Sequence, residues 1–273
     1  MTAPTLATIA RRAIEGEAEL ARGSVVLVAV SGGPDSMALL DVLATLAPKR
    51  GVGVFAHGVD HGLRREAAAE LDRAEALAHE LDVPFGRTRV DVARGGNVQA
   101  RAREARYEAL AAAARACRAS AIATAHHADD RAETVLLRLL RGAGARGLAV
   151  LPARAPLVKG VDLVRPLLRA RRADILTHLD RHAIPFATDP SNADPRYVRT
   201  RVRREVLPLL ESLDPQIVRH LADLADDLGR LEAGEVGLPR ATQRALVELL
   251  RKPSASAQVW LPGGLVVQRR KGA

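Results

Sequence analysis

The stretch Val25–Asp41 reads VVLVAVSGGPDSMALLD. An unbroken apolar run enters Ser-Gly-Gly-Pro-Asp-Ser, and a second apolar segment follows at once. A strand that is apolar at every position must be covered on both faces. Parallel sheets flanked by helices provide that cover. Further short apolar runs at Val52–Val59, Phe85–Val90 and Ala121–Ala125, with a weaker one at Asp162–Val164, alternate with helix-length segments. The helical segments are Ser36–Leu46, Arg64–Leu81, Val98–Arg118 and Asp129–Leu140. The alternation predicts a doubly wound α/β fold with five parallel strands, whose ligands sit at the carboxyl ends of the strands. From Ala170 the pattern becomes helical, with a helix near Ala170–His182, further helices to about Ala233 and a short strand-like tail.

A glycine-rich turn between a strand and a helix is a ready anion site, because backbone N–H groups and the helix dipole point at the ligand. Gly32 and Gly33 permit the tight turn, and Pro34 suits a first helical turn. Ser31 and Ser36 add hydroxyls. Neither the G-x-x-x-x-G-K-[ST] phosphate loop nor G-x-G-x-x-G is present. A carboxylate at Asp35 makes sense beside phosphates when a divalent cation lies between them. The bland alternative is an ordinary turn in which Asp35 and Ser36 cap the helix.

At 273 residues and 48% hydrophobic, the chain can build one full domain and a smaller appendage. Its net charge of +9 favours polyanionic partners. The single cysteine, Cys117, excludes an internal disulfide and a thiolate metal site. No run of about 18 apolar residues exists, so no membrane span is expected. The N-terminus is amphipathic and acid-bearing, unlike a signal peptide, and a cytoplasmic protein is expected.

Three more motifs sit where strands end. VDHGLRREAAAE puts Asp60 and His61 at the end of the second strand, and NVQARAREARYEAL opens the third long helix with Arg101, Arg103 and Arg106. ATAHHADDRAETVLLRLLRGAGARGL crowds His126, His127, Asp129 and Asp130 at the mouth of the fourth strand, with Glu133 three residues on from Asp130. A zinc site at the two histidines is a competing reading, but they are adjacent and no thiolate accompanies them. Asp130 and Glu133 also have capping-box character.

The SGGPDS loop resembles the pyrophosphatase-type (PP-loop) motif of enzymes that adenylate a carbonyl oxygen. Together with the three motifs and DPSNADPRYVRTRVRREVLPLL, it resembles the tRNA(Ile)-lysidine synthase family over about residues 24–210. The resemblance implies an adenine-nucleotide α-hydrolase-like (PP-loop) catalytic domain over 1–210 and an abbreviated helical segment over 211–273. It implies ATP and Mg²⁺, and lysine attack on an adenylated wobble cytidine of tRNA(Ile) with a CAU anticodon. ATP contacts are then expected at Ser31, Gly32, Gly33, Pro34, Asp35, Ser36, Asp60, His61 and His126. The metal falls to Asp35 and Asp130, and these two with Arg101 form the catalytic set. Glu133, His127, Asn192 and Arg199 are candidates for the lysine side. Arg196, Arg201, Arg203 and Arg204 are candidates for the tRNA backbone. Oligomerisation is left open. Many members carry histidine just before Val59-Asp60-His61, where this chain has Gly58 and places His57 one residue earlier. Two rivals share features with this reading. A tRNA 2-thiolation enzyme has the same loop, but commonly needs paired cysteines. A non-catalytic tRNA or nucleotide binder would have little use for Asp35, Asp130 and Glu133.

Overall fold

The computed structural model describes residues 4–60, 62, 66–91, 98–187, 196–233, 258–260 and 266–268. The expected His61 and Asn192 lie outside the described residues. After α1 (Leu6–Glu15) come β1 (Val25–Val30), α2 (Pro34–Leu46), β2 (Gly53–Asp60), α3 (Glu66–Glu80), β3 (Phe85–Arg89) and α4 (Val98–Ala116). β4 (Ala121–Ala123), α5 (Ala128–Leu139), α6 (Ala145–Leu148), β5 (Arg154–Val158), β6 (Val161–Val164) and α7 (Arg172–Arg181) follow.

The sheet runs in the order β3-β2-β1-β4-β6-β5. Five of these strands form the expected parallel body, and β5 joins β6 antiparallel at the edge. The extra strand escaped the sequence reading because Pro156 interrupts it. Proline cannot donate to a ladder but is tolerated at an edge, and the pairing shifts register between Pro156 and Val158. Alternation along β1 divides the core. Val26, Val28 and Val30 pack with Leu39, Leu43 and Ile175 on one face, while Leu27 and Ala29 pack with Leu110 and Ala114 on the other.

α8 (Val198–Arg201), a π-helical turn (Val202–Val206) and α9 (Leu207–Leu213) follow, then α10 (Ile217–Ala233). The boundary expected between 210 and 211 falls inside α9. Leu207, Val218, Leu221 and Ala225 share a core with Ala128, Ala132 and Val135 of α5. Arg131, 1% exposed, ties the same helices by donating to Asp226 Oδ1 and, from Nε, to Val150 O at 3.1 Å. The short strands β7 (Gln258–Trp260) and β8 (Val266–Gln268) pair antiparallel. Among the described residues no helix is long and apolar enough to cross a membrane.

Gly58 has a packing reason. A Cβ there would stand 2.5 Å from Leu71 Cδ2 and 3.3 Å from the Phe85 ring, so a larger residue at this β2 position requires the Leu71 side chain to move. The neighbouring His57 is buried and hydrogen-bonds through Nε2 with Thr88 Oγ1 at 2.9 Å.

Candidate active site

The loop after β1 is braced from within. Ser31 N–H donates to Ser36 Oγ at 3.1 Å, and Ser36 Oγ donates to the Gly33 carbonyl at 3.0 Å. Ser36 is buried, so its hydroxyl shapes the loop from inside. Gly32 adopts φ +78°, which only glycine accepts without strain. Its carbonyl accepts from Ala187 N at 2.9 Å. Pro34 and Asp35 open α2, with Gly33 as its N-cap.

Facing this loop is the start of α5. His127 is the N-cap of that helix: its N–H donates to Asp130 Oδ2 at 3.3 Å, and its ring Nδ1 stands 3.4 Å from Asp130 N. The capping box therefore sits one turn before the Asp130/Glu133 pair expected from sequence. His127 is fully buried, and three carboxylates surround its ring. Nε2 lies 3.7 Å from Asp35 Oδ1 and 3.4 Å from Asp130 Oδ2, while Nδ1 lies 3.5 Å from Asp129 Oδ2. Burial pulls the imidazole pKa down, but the three negative charges outweigh it and raise it above the ordinary histidine value.

The carboxylates respond differently. Burial, with Asp130 nearby, raises Asp35, and its Oδ1 is buried without a hydrogen-bond partner. Asp130 is pulled below the carboxylate range. Burial opposes that shift, and the charges of His127 and Arg199 overcome it. A carboxylate held this acidic suits a cation better than a proton in flight. Asp129 is also depressed: burial works against ionisation, and hydrogen bonds from His127 and Arg171 prevail. Arg171 grips it through Nη2 at 2.9 Å and Nε at 3.1 Å, and Arg172 N–H adds a 2.8 Å bond.

Two arginines from the α8 segment close the cluster. Arg199 donates to Asp130 Oδ1 and Glu133 Oε2, both at 2.9 Å. Arg203 donates to Glu133 Oε1 at 2.5 Å and to Oε2 at 3.1 Å, and reaches Asp130 Oδ1 at 3.5 Å. Glu133 itself is fully buried.

The neighbouring His126 is pushed down to about 4 by burial, with Arg165, Arg103 and Arg106 adding to the shift, so it is neutral at pH 7. Its Nδ1 pairs with Thr124 Oγ1 at 2.9 Å, and the Asp130 charge opposes the downward shift without reversing it. Beside the loop, a mostly apolar cavity of about 310 Å³ opens between α3 and α4, lined by Ser31, His57, Val59, Leu71, Arg106 and Leu110.

The PP-loop domain family matches residues 6–210 of this chain. A tRNA(Ile)-lysidine synthase from Rhodopseudomonas palustris is 42% identical over 272 residues, spanning 97% of this chain and 76% of the relative. The chain belongs to the tRNA(Ile)-lysidine synthase family. Another member, from Thermobifida fusca, is 39% identical and covers 88% of this chain and 79% of its own. Among solved structures, the U34-tRNA thiolase NcsA of Methanococcus maripaludis, with its [4Fe-4S] cluster, superposes with a TM-score of 0.68 at 16% identity. That match covers 82% of this chain and 80% of the thiolase, and it shows the shared fold.

Against the family pattern, the structure brings together Asp35, His127, Asp130, Glu133 and Arg199. Asp60 ends β2 and accepts from Gly62 N–H at 2.8 Å, closing a turn. Arg101 is exposed on α4, and it is Arg103 and Arg106 of that helix whose charges act on His126. Arg203, grouped on sequence with the tRNA-facing arginines, turns instead onto Glu133. Arg196, Arg201 and Arg204 are exposed, with Arg201 paired to Glu205 at 3.0 Å. Sequence reasoning assigned no role to Asp129, Arg171 or Arg165. The signal was available: RPLLRARR follows the last parallel strand, at the sheet end where ligands bind.

Proposed function

We propose that this chain joins free lysine to C2 of the wobble cytidine of tRNA(Ile) with a CAU anticodon, using ATP. In the first step the cytidine O2 attacks the α-phosphorus and pyrophosphate leaves. In the second the lysine ε-amine attacks C2, and O2 departs with AMP. The observation that carries this reading is the pairing of Asp35 and Asp130 across His127 Nε2, at 3.7 and 3.4 Å, beside a glycine loop.

The residues present fit Mg²⁺. Asp35 Oδ1 is buried without a hydrogen bond, and burial, with the like charge of Asp130 adding and His127 opposing, raises its pKa, so a cation would meet an unsatisfied carboxylate oxygen there. Asp35 and Asp130 would hold the ion, which offsets charge on the departing pyrophosphate. Backbone N–H groups of the loop take phosphate oxygens, and the cavity beside Ser31 takes the nucleoside. Arg199, set between Asp130 and Glu133, is positioned to exchange one of these carboxylates for the lysine substrate. The exposed Arg196, Arg201 and Arg204 give the tRNA backbone its contacts.

The thiolation alternative has no support in the cysteine count, since Cys117 stands alone. The test is single-turnover AMP release with ATP, Mg²⁺ and lysine, in which tRNA(Ile) with a CAU anticodon competes with tRNA(Met). Lysine should enter tRNA(Ile) alone, and Asp35→Ala should abolish pyrophosphate release with an unchanged circular dichroism spectrum. Equal modification of both tRNAs, or full activity in the variant, would overturn the proposal.

A further inference from the structure

Two helices that begin at the site meet again farther back. α2 carries Asp35 in its first turn and Asp41 about 9 Å farther along its axis. α7 starts beside Arg171, which holds Asp129, carries His178 and ends at its C-cap His182, four residues on. These three side chains converge. His178 Nε2 lies 2.7 Å from Asp41 Oδ2, and the rings of His178 and His182 stack with centroids 4.3 Å apart. The side chains of His178 and Asp41 are only 9% and 14% exposed, while His182 is open to solvent. One ligand atom from each residue falls within 4.8 Å of the other two.

We propose that Asp41, His178 and His182 form a binding site for a divalent transition metal of the zinc class. Two imidazoles and one carboxylate, with a fourth position open, are a common three-residue ligand set for that ion. Bonds of about 2.0–2.1 Å in tetrahedral geometry place ligand atoms about 3.3 Å apart. Asp41 and His178 are already closer than this, so the ion replaces the proton they share and eases them apart. His182 closes the remaining gap by turning its exposed ring, and the open position then faces solvent.

The Asp41–His178 hydrogen bond alone would not require His182, whereas a chelate does. The hard, oxygen-preferring Mg²⁺ of the nucleotide site does not suit a nitrogen-rich set, so the two sites would not compete. Bound metal would pin the back of α2 to α7 and so stiffen the two helices that present Asp35 and Arg171.

The test uses the full chain without a histidine tag, stripped with EDTA and titrated with Zn²⁺ by calorimetry. Co²⁺ absorption serves as the ligand-field signature. One ion per chain should bind, raise the melting temperature and persist in excess Mg²⁺. His182→Ala keeps the buried Asp41–His178 pair and should fold normally. It should nevertheless lose more than the about 10- to 100-fold that removing an outer-shell partner costs. Asp41→Asn should also weaken binding. Failure to bind one equivalent, or binding by His182→Ala as tight as the parent's, would overturn the site.

Discussion

Gly32→Ala puts a methyl group where backbone already stands. An ideal Cβ at Gly32 would lie 2.3 Å from the Glu70 carbonyl oxygen and 2.7 Å from its carbonyl carbon. Both atoms belong to the main chain of α3, so no rotamer change relieves the clash. α3 would have to retreat by about 1 Å to reach ordinary contact, which strains the packing of Leu71 and Ala74, both buried. Alanine in the left-handed region adds about 1–2 kcal/mol, overpacking adds about 1–3, and the stiffer unfolded chain returns about 0.4–1. The net cost should be about 1–4.5 kcal/mol. Gly33→Ala is the control. Its φ is −79°, and a Cβ there meets only Ser31 Oγ at 3.6 Å. Stability should change by less than about 0.5 kcal/mol. Urea unfolding followed by circular dichroism reads both variants, with ATP-dependent pyrophosphate release measured alongside. If Gly33→Ala stays folded but binds ATP poorly, the outer edge of the loop touches phosphate. A Gly32→Ala protein as stable as the parent, or equal losses in both variants, would refute the reasoning.

Two further outcomes follow from the carboxylates. Asp130→Asn keeps the shape of the cap but removes the charge facing Asp35, Arg199 and Arg203, so turnover should fall at least about 100-fold with tRNA affinity little changed. An unaltered rate would reduce Asp130 to a helix cap worth about 1 kcal/mol. Asp129 has a depressed folded pKa, so its stabilising effect is present above the unfolded value near 3.8 and fades as pH falls toward the folded one. Asp129→Asn should therefore be clearly less stable than the parent at pH 7, and the gap should shrink by about pH 3. A gap in urea midpoint that stayed constant between those conditions would show that the Arg171 pairing contributes through shape alone.

The nucleotide loop was legible because local rules decide it. An apolar run at every position, two glycines and a proline force strand, turn and helix in a fixed order, and Val25–Val30 and α2 formed accordingly. β5 was not legible, because Pro156 is evidence against a central strand and says nothing of an edge. The hardest case is Arg203. In a run with Arg196, Arg199, Arg201 and Arg204, an arginine turned to solvent and one that braces a buried carboxylate look the same. Two facts separate them, one local and one not. Arg199 and Arg203 stand four residues apart, so they share a face, and both reach Glu133. The partner, Glu133, lies 70 residues earlier and is buried, and a buried carboxylate needs a cation beside it. That requirement draws Arg203, together with Arg199, onto the same acid. Charge counting assigns a whole basic run to a polyanion, yet Arg199 and Arg203 are turned onto a buried acid and Arg201 is paired with Glu205, so the count overstates the charge that the run offers outward.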